Sequence, residues 1–419
     1  MRSASYGYFR LPRAAWIILG GELVNAIGSG ATIPFMLVYL VEVCNVNASS
    51  AAALMLIRAL LGFSGALIAG PLVDRFGPKV IAAASLTLAS IGSVGLFLAS
   101  DALSGIIAAT ACTMATIICQ PALDSLLSII VSASRRQTAF AWRQTFVNAG
   151  GAAGAALAAA AVSWWSAAAG LKWIYLFDSF TFIVYALILL MFISVAYAPK
   201  ITASQGLAEA GLVKSSYRHV WRDASMRWLC VTLALVTAAG FAQLEVGLPA
   251  LVALQTDDVD SLGWMMAANM ITILALQLPI QRALAGRRRS SALALALLLF
   301  ASTWIILLLA GIGLTSLICV GALFGVAETL FTPVVSALVN DLSPSNMRGR
   351  YNSAQLSCWT GGWMVGAMAA TGFFATGQAS GQVLFISCIG ALLMGIISLG
   401  MLRNSTPPHL INSSAPVND

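Results

Sequence analysis

Gly70-Pro71-Leu72-Val73-Asp74-Arg75-Phe76-Gly77-Pro78-Lys79, preceded by Gly65-Ala66-Leu67, decides how this chain is read. The stretch is a charged turn between two long apolar runs, 51–73 and 79–100. Each run approaches the roughly 20 residues that a helix needs to cross about 30 Å of hydrocarbon.

Outward from this turn the pattern repeats. Twelve apolar stretches are expected to span a bilayer, at 14–40, 51–73, 79–100, 103–131, 137–163 and 171–196, then 228–253, 262–284, 290–312, 314–339, 350–375 and 381–403. Of 419 residues 59% are hydrophobic and 9% charged, against about 25% charged in an ordinary globular chain. That excludes a soluble domain of any size and identifies an all-α polytopic membrane protein. The first apolar run is longer than a signal-peptide core and lacks an obvious cleavage site, so it is expected to stay as the first span. Seven scattered cysteines, with no Cys-x-x-Cys pair, offer neither a disulfide framework nor a zinc site. They read as small apolar residues inside helices.

The net charge of +7 sorts by side of the membrane. Arg2, Arg10, Arg13, Arg75, Lys79, Arg135, Arg136, Lys200, Lys214, Arg218, Arg222, Arg227, Arg287, Arg288, Arg289, Arg348, Arg350 and Arg403 all fall on one side of the expected spans. Opposite loops hold Lys172 with Glu42, Asp101, Asp257, Asp258 and Asp260. By the positive-inside rule both termini and the central loop are cytoplasmic, and an even number of spans requires the same. Trp164, Trp165, Trp173 and Tyr175 are placed as an interface belt. The expected organisation is a six-helix bundle at 1–196, a cytoplasmic central loop at 197–227, a second bundle at 228–403 and a disordered cytoplasmic tail at 404–419.

The two halves echo each other. A shift of 212 positions brings Pro121 onto Pro333, Arg136 onto Arg348, Gly150 onto Gly362 and Gly154 onto Gly366. Arg13 and Pro34 in span one are mirrored by Arg227 and Pro249 in span seven. An ordered set of this kind points to a duplicated six-helix unit.

The 70–79 turn resembles the loop signature of the major facilitator superfamily, G-x-L-a-D-R-x-G-R-K, and six-plus-six spans with both ends inside are similar to that family over essentially the whole chain. The resemblance implies two pseudo-symmetric six-helix bundles, alternating access around a midplane site, a bacterial inner-membrane location and a functional monomer. It implies that Gly70, Asp74, Arg75, Gly77, Lys79 and Asp124 form a cytoplasmic gate, with Asp124 as acidic partner to the cations. Gly70 would let two helices approach closely, and Asp74 would cap or face a neighbouring helix N-terminus. Departures are Pro78 in place of a basic residue, and a fourth span without arginine. Gly150-x-x-x-Gly154 only partly resembles the antiporter motif. Leu278-Pro279-Ile280-x-Arg282, Glu328-x-x-x-x-Pro333 and Arg348-Gly349-Arg350 are similar to the twelve-helix drug:proton antiporter branch.

Ionisable residues at membrane depth point to function. Glu22, Asp124, Glu245 and Glu328 fall in spans one, four, seven and ten, which line the central cavity in the resembled fold. Placing a charged carboxylate near a helix centre costs about 2.5–3.5 kcal/mol on insertion scales. Protonating a glutamate of reference pKa about 4.3 at pH 7 costs about 3.7 kcal/mol. The two are comparable, so a buried glutamate is poised between charged and neutral. Glu22, Glu245 and Glu328 are therefore the candidates for proton coupling and substrate counter-charge. Arg58 and Arg143 also lie at membrane depth, and pairing with them would make Glu22 or Glu245 structural. Asp178 is shallower and reads as an interface residue. Phe35, Tyr39, Phe146, Phe241, Trp359 and Trp363 can offer π-faces to a lipophilic cation, although the same spacing serves lipid-facing and packing residues.

Other classes lack their residues. None of the four lysines follows a glycine, so there is no P-loop. Both histidines lie in the central loop and tail, which excludes a His-Glu-x-x-His metal site in the membrane. No selectivity filter or Arg-rich voltage sensor is present. Asp124-Ser125 is the nearest approach to a nucleophile–base pair, and adjacent helix positions do not face each other. The expectation is a transporter, not an enzyme, without cofactor, metal or nucleic-acid partner, moving a small molecule across the lipid bilayer against protons. Export of amphipathic or cationic compounds leads. A facilitator, a symporter, or an exporter dedicated to one metabolite or siderophore is the alternative, kept open by Asn25, Asn148, Asn269 and Gln243.

Overall fold

The computed structural model describes residues 11–32, 35–44, 46, 48–164, 167–194, 217–255, 260–284, 286–375 and 381–411. Among these there is no strand. The first span is made by α1 (Arg13–Thr32) and α2 (Met36–Glu42), and the next five by α3 (Ala48–Phe76), α4 (Pro78–Leu98), α5 (Ala102–Ile130), α6 (Arg136–Trp164) and α7 (Ala167–Phe192). A short α8 (Tyr217–Arg222) precedes the seventh span, which runs through α9 (Ala224–Val236), two π-turns and α10 (Leu248–Gln255). Then follow α11 (Asp260–Leu284), α12 (Arg289–Ala310), α13 (Leu314–Leu342), α14 (Arg348–Ala375), α15 (Gly381–Ser405) and a final turn, α16 (Pro408–Ile411).

Nine spans among the described residues are long and apolar enough to cross a membrane by length and composition. The other three of the twelve are α3, α6 and α14. The last two are pseudo-symmetric mates that carry Arg136, Gln137, Arg143 and Gln144, or Arg348, Arg350, Asn352 and Gln355. Arg136, Gln137, Gln144, Arg350 and Asn352 among them make the contacts between the halves described below.

In the first half α1 packs on α6 and α7, and α4 on α5 and α7. In the second, α9 packs on α14 and α15, and α12 on α13 and α15. The halves meet where α3 lies on α14 and where α6 lies on α11 and α13. The glycine pairs matched by the 212-residue shift serve the same joint in each half. A Cβ on Gly150 would stand 2.6 Å from that of Ala26 on α1, and one on Gly366 would stand 2.7 Å from Cα of Ala238 in span seven. Gly150 and Gly366 are not mates under the shift, so what repeats is the close approach of the fifth-position helix to the first-position one, not the individual contact.

Two regions differ from expectation. The tail does not begin at 404 as a disordered segment: α15 continues to Ser405, Ile411 is fully buried, and the Leu410 carbonyl accepts from Arg289 (3.1 Å). Tyr175 is not a belt residue, because it is fully buried against Tyr39, their rings 4.5 Å apart. Trp173 is half exposed, and the side chains of Trp164 and Trp165 lie outside those described.

Candidate functional site

The 70–79 turn is built for close contact with the second half. Helix α3 stops at Phe76, Gly77 takes φ of +89°, and Pro78 opens α4 at its first turn, where a missing N–H costs nothing. Position 78 is thus the start of a helix, which accounts for the proline where the resembled motif has a cation. Asp74 reaches the N-terminus of α14, accepting from the backbone N–H of Gly349 (2.7 Å) and Arg350 (3.3 Å) and from the Arg350 guanidinium (2.6 Å). The carboxylate meets the positive end of the helix and a paired cation together. Gly70 permits the approach, since a Cβ there would stand 2.8 Å from Cα of Arg350.

Arg75 and Lys79 do not take part as expected. Arg75 stacks over Phe76 (5.1 Å to the ring centre), and Lys79 donates to the Leu190 carbonyl (3.1 Å). Asp124 joins neither of them, because Arg143 one span away already claims it. The rest of the closure comes from residues that the local motif does not reveal. Asp341 at the end of α13 binds Arg136 of α6 and Arg289 of α12 (2.8 Å). Gln137 donates to Gln281 (2.9 Å), and Asn352 to Ser125 (3.1 Å). Only the repeated Arg136/Arg348 hinted at these bonds, through the acid that a buried cation demands. The halves are thus closed together at the end that carries the arginine-rich turns.

Gly349→Ala is expected to loosen this end. The added methyl would lie 2.6 Å from the Gly70 carbonyl and 2.7 Å from Asp74 Oδ1. Overpacking costs about 1–3 kcal/mol, roughly a 5- to 150-fold shift in the closed–open equilibrium. Amide exchange across 70–79 and 348–352 in nanodiscs should speed up accordingly.

Deeper in the protein, Arg143 is the centre of a charged triad. It donates to Glu22 (2.9 Å), to Asp124 (2.8 Å) and to Gln120, while Tyr185 donates to the second Glu22 oxygen (3.1 Å). Two acids share one cation, so with both ionised the triad carries a net negative charge. Glu328 has a neutral partner instead: Gln144 of α6 donates to it across the gap between the halves (3.0 Å). Glu245 lies in the second of the two π-turns, Thr237–Phe241 and Gln243–Gly247. Such turns often sit at functional positions. Gln243 holds the irregular region by donating to the carbonyls of Ala238 (3.0 Å) and Gly366 (2.8 Å), and Trp363 donates to Glu245 (2.9 Å). The Arg58 side chain lies outside those described.

A cavity of about 530 Å³ opens beside the triad. Its wall comes from spans one, three, four, five and six, with Leu356 and Trp359 from α14. Spans seven and ten do not line it, so Glu245 and Glu328 stand off the cavity, and Glu328 meets it through Gln144. Of the six candidate aromatics only Trp359 lines this space. Tyr39 is buried and bonded to the Leu96 carbonyl. Phe241 is packed among Phe300, Phe324 and Trp359, and Phe146 among Trp16 and Trp142. Phe35 packs on the core around Tyr39, and Trp363 is engaged with Glu245. Asp178 is no interface residue: it is 2% exposed and lines the cavity.

The sequence profile of the Major Facilitator Superfamily matches residues 18–257 and 246–417. The chain belongs to this superfamily. Among solved structures, superfamily architecture recurs in a bacterial homologue of the iron transporter ferroportin in its outward-facing state (18% identity, 94% of this chain and 100% of that one, TM-score 0.73). It recurs also in the human organic anion transporter MFSD10 (15%, 93% and 100%, 0.73) and in the E. coli fucose:proton symporter (14%, 94% and 98%, 0.74). At these identities the likeness is one of fold. No curated protein sequence matches the chain. Superfamily membership makes it a multi-pass membrane transporter of small molecules.

Proposed function

We propose that the protein is a proton-coupled exporter of amphipathic, cationic small molecules. Residues 1–196 and 228–403 would rock as two bundles around the cavity, and residues 197–227 and 404–419 would face the cytoplasm with the arginine-rich turns. On that orientation the Asp74–Arg350 contact closes the cytoplasmic side, and the site is the inner membrane. The observation that carries the reading is the Gln144–Glu328 bond. It puts an acid with a neutral partner on the seam that must part during transport, next to a cavity whose triad, with both acids ionised, is net negative. A proton on Glu328 and a cation in the cavity are then alternative ways of neutralising one region. The fold itself carries no substrate class, since its likenesses include transporters named for iron, organic anions and fucose.

A carrier dedicated to one polar metabolite is the second reading, favoured by Asn25, Ser29, Thr113, Thr116 and Gln120 in the cavity wall. Liposomes with an imposed pH gradient separate the two. Addition of lipophilic cations should release protons through the wild type, and a Glu22→Gln/Glu245→Gln/Glu328→Gln variant should abolish this. Cation movement without protons, or coupled movement surviving in the triple variant, overturns the proposal.

A further inference from the structure

Asp178 on α7 is the one buried acid of the cavity wall that nothing above uses. Glu22 has a cation and a tyrosine, and Asp124 shares that cation, but among the described residues no cation is paired with Asp178. Its Oδ2 accepts from Thr32 (3.0 Å), while Oδ1 is buried without a hydrogen-bond partner. An unsatisfied carboxylate oxygen in such a place is costly, and any donor that reaches it recovers that cost. The facing helix packs against this oxygen without a donor to offer it: position 28 is glycine, and a Cβ there would stand 2.5 Å from Oδ1, while the neighbouring Thr181 and Ser93 hydroxyls donate to the carbonyls of Asp178 (2.8 Å) and Tyr175 (2.9 Å). One turn earlier on the same face of α1, Asn25 Oδ1 also lines the cavity without a partner. Met36, Tyr175 and Phe182 supply apolar wall nearby.

We infer that Asp178, with Asn25, is the anchor for a protonated amine, an ammonium group that still carries an N–H. The two oxygens are acceptors, so the charge alone is not enough. A quaternary ammonium brings the same charge without a donor and leaves Oδ1 as it was. This rests on the cationic-substrate reading above and narrows it to amines with a proton to donate. It also gives the first half its own cation site, separate from Glu328 on the seam.

The test is equilibrium binding to the full chain in nanodiscs, with dimethylbenzylamine, protonated at neutral pH, and its quaternary relative benzyltrimethylammonium. Wild type should bind the amine about tenfold or more tighter, the worth of one hydrogen bond to a charged group. In Asp178→Asn the amine should fall to the level of the quaternary ion, whereas Thr32→Val, which keeps the carboxylate, should retain the preference. The preference is a ratio of two ligands on one sample, so a partly folded preparation does not imitate the loss. Equal binding of both probes by wild type, or an undiminished preference in Asp178→Asn, overturns the inference. Failure of both probes to bind also overturns it. If lipophilic cations still exchange for protons in the liposome assay, the exporter reading survives that failure; if they do not, both fall together.

Discussion

Replacing Arg143 by methionine is expected to cost more stability than any other single change in the membrane region. The guanidinium lies 2.9 Å from Glu22 and 2.8 Å from Asp124, and the three side chains are 15%, 3% and 16% exposed. Removing one partner of a buried ion pair costs about 3–5 kcal/mol, because the remaining charge has lost both water and its counter-ion. Here two carboxylates would be stranded in one place. Methionine matches the arginine stem in length, so packing loss contributes little beside this term. The sign with pH follows directly. The penalty belongs to the charged carboxylates, so the variant should be much less stable than wild type near neutrality and should regain part of the loss on acidification. The triple change Glu22→Gln/Asp124→Asn/Arg143→Met should recover stability at neutral pH, since removing all the charges leaves none unpaired. Arg143→Lys should recover less, because a single ammonium cannot reproduce the fork that binds both acids. Thermal unfolding in nanodiscs at two pH values reads all four. An Arg143→Met protein as stable as wild type near neutrality would mean that the triad is not ionised.

How far such a site can be read from sequence depends on the range of the interaction. Twelve spans, their alternating loop charges and the turn between spans two and three were legible, because each is a property of a few neighbouring residues. The matched glycines were legible too, since both halves need the same close approach of span five to span one, or of eleven to seven. Pairings across the fold were not. Asp74 could be read as a helix-facing acid, but its partner Arg350 is 276 residues away, and no local spacing names it. The same limit assigned Asp124 to the gate cations when Arg143, 19 residues on, holds it. The aromatics failed for a different reason. A helix surrounded by lipid and protein is apolar on every side, so periodicity does not say which face looks inward, and Phe241 and Tyr39 turned out to be packed. Asp178 was misplaced because its depth had to be judged from helix ends known only to a few residues.

Glu328→Gln is expected to separate transport from its energy source. Glutamine has the length of glutamate and can still pair with the Gln144 amide, which bonds Glu328 at 3.0 Å, so the contact between the halves should persist. What it cannot do is take up and release a proton. Exchange of labelled for unlabelled substrate needs no net proton movement and should continue at a rate near wild type. Accumulation driven by the proton gradient should collapse. A gradient supplies about 2.3 kcal/mol per charge per 100 mV, so losing one coupled proton forfeits roughly 50-fold in the concentration ratio at that potential. Glu245→Gln is the control that assigns the role. Glu245 is bonded to Trp363 of its own half rather than across the seam (2.9 Å), so its loss should alter the field felt by Glu328 without removing the proton. The two variants should then differ: exchange without accumulation in Glu328→Gln, and accumulation with a displaced pH profile in Glu245→Gln. Wild-type accumulation by Glu328→Gln would place the carrier elsewhere. Loss of exchange as well would show that the acid serves the conformational change and not the proton alone.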